Sequence, residues 1–296
     1  MELDYVYRSR KSDMAPVADC VWLSDELLAV AFRTGLVELV DVDSRSVLSS
    51  VMLEGKTLLS IAAVGNDRLI VQTKADSVSL YDWTQWKCLW TISTSTAVTF
   101  ARPCVLNDQV AFVCKAQGTV AIVTLDTGYV EATYDLTSTG AAGMTVALAC
   151  SPTAWATLTE SGHLIHFTHK AGSAVDQQCQ PITLPQGESV IPTALHVDSS
   201  GEAIIGFSNG EVLSAAGAEF FTSQDSGIGA LTKTISGRIV GGTWRGHIFP
   251  SNDQPHCASI VKVAAAASRV AIASTDGRVS LWDLIDSPCL SGLDQS

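Results

Sequence analysis

Three stretches of the chain carry side chains that could do chemistry. The first, SGHLIHFTHK, places His163, His166 and His169 at every third position. Imidazole nitrogens hold zinc at about 2 Å. On a strand, however, side chains alternate faces and rise about 3.3 Å per residue. His166 then faces away from the other two, and His163 and His169 stand roughly 20 Å apart. One strand cannot gather these three on a metal, so exposed or hydrogen-bonded histidines are expected and no metal site is assigned. The second stretch, ASTDGRVSLWDL, holds Ser274, Asp276, Trp282 and Asp283, with His256 upstream. The third, YDWTQWKCLW, crowds Trp83, Trp86 and Trp90 into ten residues.

Other chemistry is missing its pattern. No P-loop, GxSxG elbow, HExxH or CxxC occurs. GIGALTK (227–233) lacks the third glycine and the following helix of a phosphate loop, and reads as a connection. Carboxylates are plentiful, but no spacing pairs them for acid–base work. No catalytic residue and no cofactor is assigned, and a non-enzymatic protein is expected.

Composition narrows the partners. The 296 residues carry a formal net charge of −12, with 47% hydrophobic and 16% charged residues. An acidic chain gains little from the phosphate neutralisation that drives non-specific nucleic-acid binding. It has no general attraction to anionic membranes either. Neither direct nucleic-acid binding nor membrane association is expected. Eight scattered cysteines without CxxC pairing read as reduced, buried thiols. With a charged N-terminal stretch, this points to a cytoplasmic or nuclear protein.

The positioning elements are strands. Seven times an apolar or alternating run, a short polar turn and a second such run recur, at 27–42, 68–83, 109–125, 154–167, 202–215, 238–249 and 269–284. The turns centre on Gly35, Asp76, Gly118, Gly162, Gly210, Gly246 and Gly277, spaced 41, 42, 44, 48, 36 and 31 residues apart. A mean period of about 40 matches four-stranded propeller blades. An all-β, seven-bladed β-propeller spanning residues 1–296 as one domain is therefore expected. Leu3–Arg8 would complete the last blade, and Lys87–Ile92 followed by Ala97–Phe100 would fill one interval. A barrel or sandwich is the alternative, and neither accounts for the seven evenly spaced hairpins.

The last hairpin resembles WD-repeat propellers. In that family a His, a Ser or Thr, an Asp and a Trp form a buried relay, which the resemblance maps onto His256, Ser274, Asp276 and Trp282, with Asp283 completing the dipeptide. Asp76, Tyr81 and Asp82 form a weaker copy. The order of VQTKADSVSLYDW, STAVTFARP, TGAAGMTVAL and ASTDGRVSLWDL is similar to the ASTRA-associated protein / G-protein β-subunit-like protein 1 family. That resemblance implies a scaffold associated with the Tel2–Tti co-chaperone, which matures phosphatidylinositol-3-kinase-related kinases, and with ASTRA chromatin assemblies. A generic scaffold of another complex, or a propeller hydrolase or small-ligand binder, stays open. One departure stands out: the nineteen residues between Phe249 and Arg269 are too few for two strands with turns, so blade 6 should lack a normal outer strand.

Two partner-binding surfaces are candidates. Trp83, Trp86 and Trp90 could be exposed interface anchors or could pack between blades. Arg33, Lys74, Lys115, Arg245 and Arg278 sit at or beside five of the seven turns, which share one rim. They could form a positive collar for an acidic partner, or be ordinary solvated turn residues.

Overall fold

The structure, a computed structural model, describes residues 1–284 apart from 12–14, 75–76, 95–100, 116–117, 140–142, 169–175, 187–188, 224–225 and 252. Seven antiparallel sheets form a ring, a seven-bladed β-propeller, with a single 3-10 turn among the described residues, at Leu136–Thr139. The first strand, β1 (Glu2–Arg8), belongs to the last blade. Blade 1 is β2 (Val17–Trp22), β3 (Leu27–Phe32), β4 (Leu36–Asp41) and β5 (Ser46–Met52). Blade 2 is β6 (Leu58–Val64), β7 (Arg68–Thr73), β8 (Ser77–Asp82) and β9 (Lys87–Ser93). Blade 3 is β10 (Cys104–Leu106), β11 (Gln109–Lys115), β12 (Thr119–Thr124) and β13 (Val130–Asp135).

Blade 4 follows as β14 (Thr145–Cys150), β15 (Trp155–Thr159), β16 (His163–Thr168) and β17 (Asp176–Pro181). Blade 5 is β18 (Pro192–Val197), β19 (Ala203–Phe207), β20 (Glu211–Ser214) and β21 (Glu219–Thr222). Blade 6 has three strands, β22 (Ile228–Lys233), β23 (Ile239–Thr243) and β24 (Ile248–Phe249). Blade 7 is β25 (Ile260–Ala265), β26 (Arg269–Ser274) and β27 (Arg278–Asp283), closed by β1.

Every hairpin counted in the sequence is the second and third strand of a blade. Lys87–Ile92 lies within β9, whereas Ala97–Phe100 and the turn residue Asp76 lie outside the described residues. Among the described residues blade 6 lacks an outer strand, as its short interval requires. Pro250 has no N–H with which to extend β24, and the Ile248 amide turns to the Asp253 carbonyl at 2.9 Å instead.

The blades hold together through paired faces. Along β3, Leu28, Val30 and Phe32 pack toward blade 7, while Ala29 and Ala31 pack toward blade 2. The same alternation yields seven buried apolar clusters, one at each junction between neighbouring blades. This is why the inner strands read as nearly continuous apolar runs: both faces of each sheet are covered.

In each blade the second-to-third turn lies on the same rim as the connector to the next blade; we call this the tip face. The remaining turns lie on the opposite, base face. At Gly35 (φ 97°) and Gly246 (φ 85°) only glycine fits. A Cβ on Gly35 would lie 2.5 Å from the Leu53 carbonyl oxygen, and one on Gly246 would lie 2.3 Å from that of His256. The turn tips are pressed against the connectors, which fixes this rim.

Closure joins β1 to β27, from Glu2 opposite Asp283 to Arg8 opposite Arg278. Tyr7 then donates its phenol to the carboxylate of Glu38 in blade 1, and Glu38 is only 2% exposed. Burial, and next the Glu38 hydrogen bond, push the Tyr7 pKa far up, keeping the phenol a donor. Arg45 adds an ion pair to Asp4 at 2.8 Å, and Arg269 reaches Asp43 at 2.7 Å. Tyr7→Phe leaves the buried carboxylate short of a donor and should lower unfolding free energy by about 1–3 kcal/mol in chemical denaturation. A loss under about 0.5 kcal/mol would remove this bond from the closure.

Candidate functional site

At the tip of blade 7 four side chains form one chain of hydrogen bonds. Trp282 Nε1–H donates to Ser280 Oγ at 2.8 Å. Ser280 Oγ lies 2.9 Å from His256 Nε2, and His256 Nδ1 lies 3.3 Å from both carboxylate oxygens of Asp276. One proton assignment satisfies every member: the Ser280 hydroxyl donates to Nε2, and Nδ1–H donates to Asp276. That assignment needs a neutral imidazole. Burial lowers the His256 pKa, against an opposing pull from Asp276. Asp276 also accepts the amides of Cys257 at 3.2 Å and Arg278 at 3.1 Å.

The structure thus brings His256, Asp276 and Trp282 together through Ser280, a residue the sequence motif did not single out. Ser274 donates instead to the Ala258 carbonyl at 3.1 Å and accepts the Asp276 amide at 3.3 Å, bracing the turn. Asp283 stands apart on the base face, 3.4 Å from Arg269 Nε. In blades 2, 4 and 6 a threonine closing the second strand does the turn-bracing work. Thr73, Thr159 and Thr243 accept the amides four residues on, at 3.0, 3.1 and 3.2 Å. The legible signal for this is a Thr four residues before the third strand. The arrangement is consistent with a propeller of the WD-repeat type.

The aromatic cluster is engaged between blades. Trp86 Nε1 donates to Ser49 Oγ of blade 1 at 3.0 Å, and Trp90 Nε1 donates to the Leu125 carbonyl of blade 3 at 2.7 Å. Trp83 and Trp86 pack on the blade 1–2 core, and Trp90 on the blade 2–3 core. All three are half-buried. The tryptophan that stands out in solvent is Trp244, 44% exposed at the tip of blade 6; it carries no repeat signature in the sequence.

Arg33, Lys74 and Arg245 are exposed on the tip face, and Arg278 is half-buried beside them. Lys115 ends β11, and its side chain lies outside the described residues. Connectors add Arg8, Arg10, Lys11 and Lys56 to the same rim in the sector of blades 7, 1 and 2. Carboxylates on the same rim among the described residues are Glu54, Asp135, Glu160, Glu211, Asp253 and Asp276, the last held in the relay. Arg33, Lys74, Arg245 and Arg278 have no ion-pair partner among the described residues. On the base face Arg45 pairs with Asp4, Arg68 with Asp126, Lys233 with Asp198 and Arg269 with Asp43, while Lys87 and Arg238 are exposed there without an ion pair among the described residues. That face also exposes Asp25, Glu26, Asp67 and Asp108 over blades 1–3.

Arg102 leaves the connector before β10 and crosses the axis. Its guanidinium pairs with Asp19 of blade 1 and donates to the Val261 carbonyl of blade 7. Asp19 is fully buried and accepts the amides of Cys20 at 2.9 Å and Ile61 at 3.0 Å. At the opposite end of the inner strands, Lys233 bonds Asp198 at 2.7 Å. Burial first, helped by Lys233 and Lys262 and opposed by Asp198, takes the His196 pKa down to about 4. Asp19 with Arg102 and Asp198 with Lys233 are thus paired at the two ends of the inner strands.

Among the described residues no cluster of three or more metal-ligating side chains exists. His163 contacts Ser161 Oγ at 3.0 Å, and His169 lies outside the described residues. His166 lines a half-open groove of about 260 Å³ between blades 4 and 5, opposite Glu202. No hydrogen bond joins these two residues. The seven described cysteines are free thiols, and burial pushes the Cys20 pKa up to about 12. Cys289 lies outside the described residues. No described helix is long and apolar enough to cross a membrane.

No protein-family model matches the chain, and no curated protein matches it in sequence.

Two measurements probe the internal polar groups. Trp282→Phe removes the donor that orients Ser280 and should cost about 1–3 kcal/mol, with Asp276→Asn non-additive in a double-mutant cycle. Additive losses would mean that the four groups do not act as one chain. For His196 the folded pKa of about 4 lies below the ordinary 6.5. Unfolding therefore takes up protons in that window, so stability is full above pH 6.5 and falls toward pH 4. His196→Asn should flatten the slope of melting temperature against pH there; an unchanged slope would assign it to other groups.

Proposed function

We propose that this protein is a non-catalytic scaffold that presents the tip face of its propeller to other proteins. Propellers commonly serve as interaction platforms, and the charge arrangement supports this use. One observation carries the reading: Arg33, Lys74 and Arg245 stand exposed on the tip face with no ion-pair partner among the described residues, whereas Arg45, Arg68, Lys233 and Arg269 on the base face are paired. An acidic body with exposed basic turn residues on one rim suits an acidic segment of a partner and steers its approach.

The finer assignment rests on resemblance. The WD-type relay of blade 7 and the order of the degenerate repeats support an adaptor of the Tel2–Tti/ASTRA kind, working in kinase maturation in the cytoplasm or nucleus. The alternative of a small-ligand propeller or hydrolase would draw on the groove beside His166, whose imidazole is held neutral by burial.

Affinity purification of the tagged chain followed by mass spectrometry tests both levels. Recovery of Tel2–Tti components or the large kinases supports the adaptor role; a full interactome without them refutes it. The triple variant Arg33→Glu, Lys74→Glu, Arg245→Glu should reduce capture of the principal partners several-fold and blunt its salt dependence. Undiminished capture by a folded triple variant would overturn the tip-face reading.

A further inference from the structure

Of the seven tryptophans, six are at least half withdrawn from solvent. Trp22, Trp86, Trp90 and Trp282 spend their indole N–H groups on internal acceptors. Trp155 and Trp83 lie within or against the junction cores. Trp244 does none of this. It is exposed, and its indole N–H has no hydrogen-bond partner among the described residues.

It is also seated. A Cβ on Gly227 would lie 2.7 Å from Trp244 Cζ3, and one on Gly229 would lie 3.4 Å from its Cδ1. The ring therefore rests against bare backbone at the start of β22, the inner strand of blade 6. The Trp244 amide donates to the Gly227 carbonyl at 2.9 Å, which fixes the turn above that seat. Gly246, two residues on, lies under the connector of blade 7, and Gln254 Nε2 donates to the Arg245 carbonyl at 3.0 Å. A rigidly held indole with an open flank and a free donor, beside an exposed arginine, has the composition of an interface hot spot.

From this we infer that Trp244 is the apolar anchor of the tip-face docking surface. Its ligand is an acidic peptide segment carrying one bulky apolar residue. The apolar side chain lies on the indole, while the flanking anionic groups reach Arg245, Arg278 and Arg33 along the rim. The charge argument selects the partner: an acidic segment meets Arg245, Arg278 and Arg33, which have no ion-pair partner among the described residues, and on the base face would meet exposed Asp25, Glu26, Asp67 and Asp108. The inference rests on the scaffold reading and deepens it by naming the chemistry of the bound segment.

The test uses the full chain and a dodecapeptide of Asp and Glu with one central Phe. Wild-type protein should bind it saturably in fluorescence anisotropy. Trp244→Ala, and separately Phe→Ala in the peptide, should each weaken binding at least tenfold. A peptide with phosphoserine replacing half of the acidic residues distinguishes a phosphorylated source from a carboxylate-rich one by which binds more tightly. In a ¹H–¹⁵N spectrum of the wild-type chain, the indole signal assigned through Trp244→Phe should move more than the other six; this readout does not depend on the stability of the alanine variant. Absence of saturable binding to either peptide, equal binding by Trp244→Ala, or a stationary Trp244 signal overturns the inference. If Trp244→Ala also captures partners like wild type while the Arg33/Lys74/Arg245 reversal does not, the anchor fails and the scaffold reading stands.

Discussion

The structure depends on one constraint: each blade is a sheet with two apolar faces, and neither face can be left open. Seven junctions cover them only if the seventh blade meets the first. That meeting is made by pairing β1, from the start of the chain, with β27 near its other end. The Tyr7–Glu38 hydrogen bond and the ion pairs of Arg45 and Arg269 lie across the same seam. Loss of the seam would expose two sheet faces together, so local damage there has ring-wide consequences. Asp19 and Arg102 add a second tie, joining blade 1 to blade 7 and to the connector of blade 3 across the axis.

Closure has a consequence for charge. In a closed ring, all second-to-third turns and all blade connectors fall on one face, so charges scattered through the sequence are sorted by which turn they occupy. Arg33, Lys74 and Arg245 lie far apart in the chain yet share a rim, whereas Asp25, Asp67 and Asp108 share the other. The net charge of −12 describes neither face. A partner meets a rim, and each rim gathers its own set of charges.

Polar groups inside the ring follow the same economy. The relay of His256, Ser280, Trp282 and Asp276 satisfies each buried donor and acceptor at the one blade that carries all four residues. In blades 2, 4 and 6 a threonine hydroxyl braces the turn beside its backbone bonds. This is why blades without the signature residues still have the same turn. A single well-placed hydroxyl satisfies the exposed amide of a tight turn, and the junction cores supply the rest.

The sequence by itself determined the blades. Hairpin spacing, turn glycines such as Gly35 and Gly277, and two-faced apolar strands follow from backbone sterics and burial, which are local and periodic. The missing outer strand of blade 6 was legible as a count of residues. Tertiary structure alone decided what each side chain meets. Trp83, Trp86 and Trp90 read as possible anchors, and the neighbouring blades supply Ser49 to Trp86, Leu125 to Trp90 and an apolar core to Trp83. Ser280 looked like an ordinary alternating position until His256 arrived from the preceding connector. Trp244 gave no signal, because its seat is Gly227 and Gly229, which approach it only in the folded blade. Periodicity is written along the chain, whereas exposure and pairing arise between segments that meet only when the ring closes.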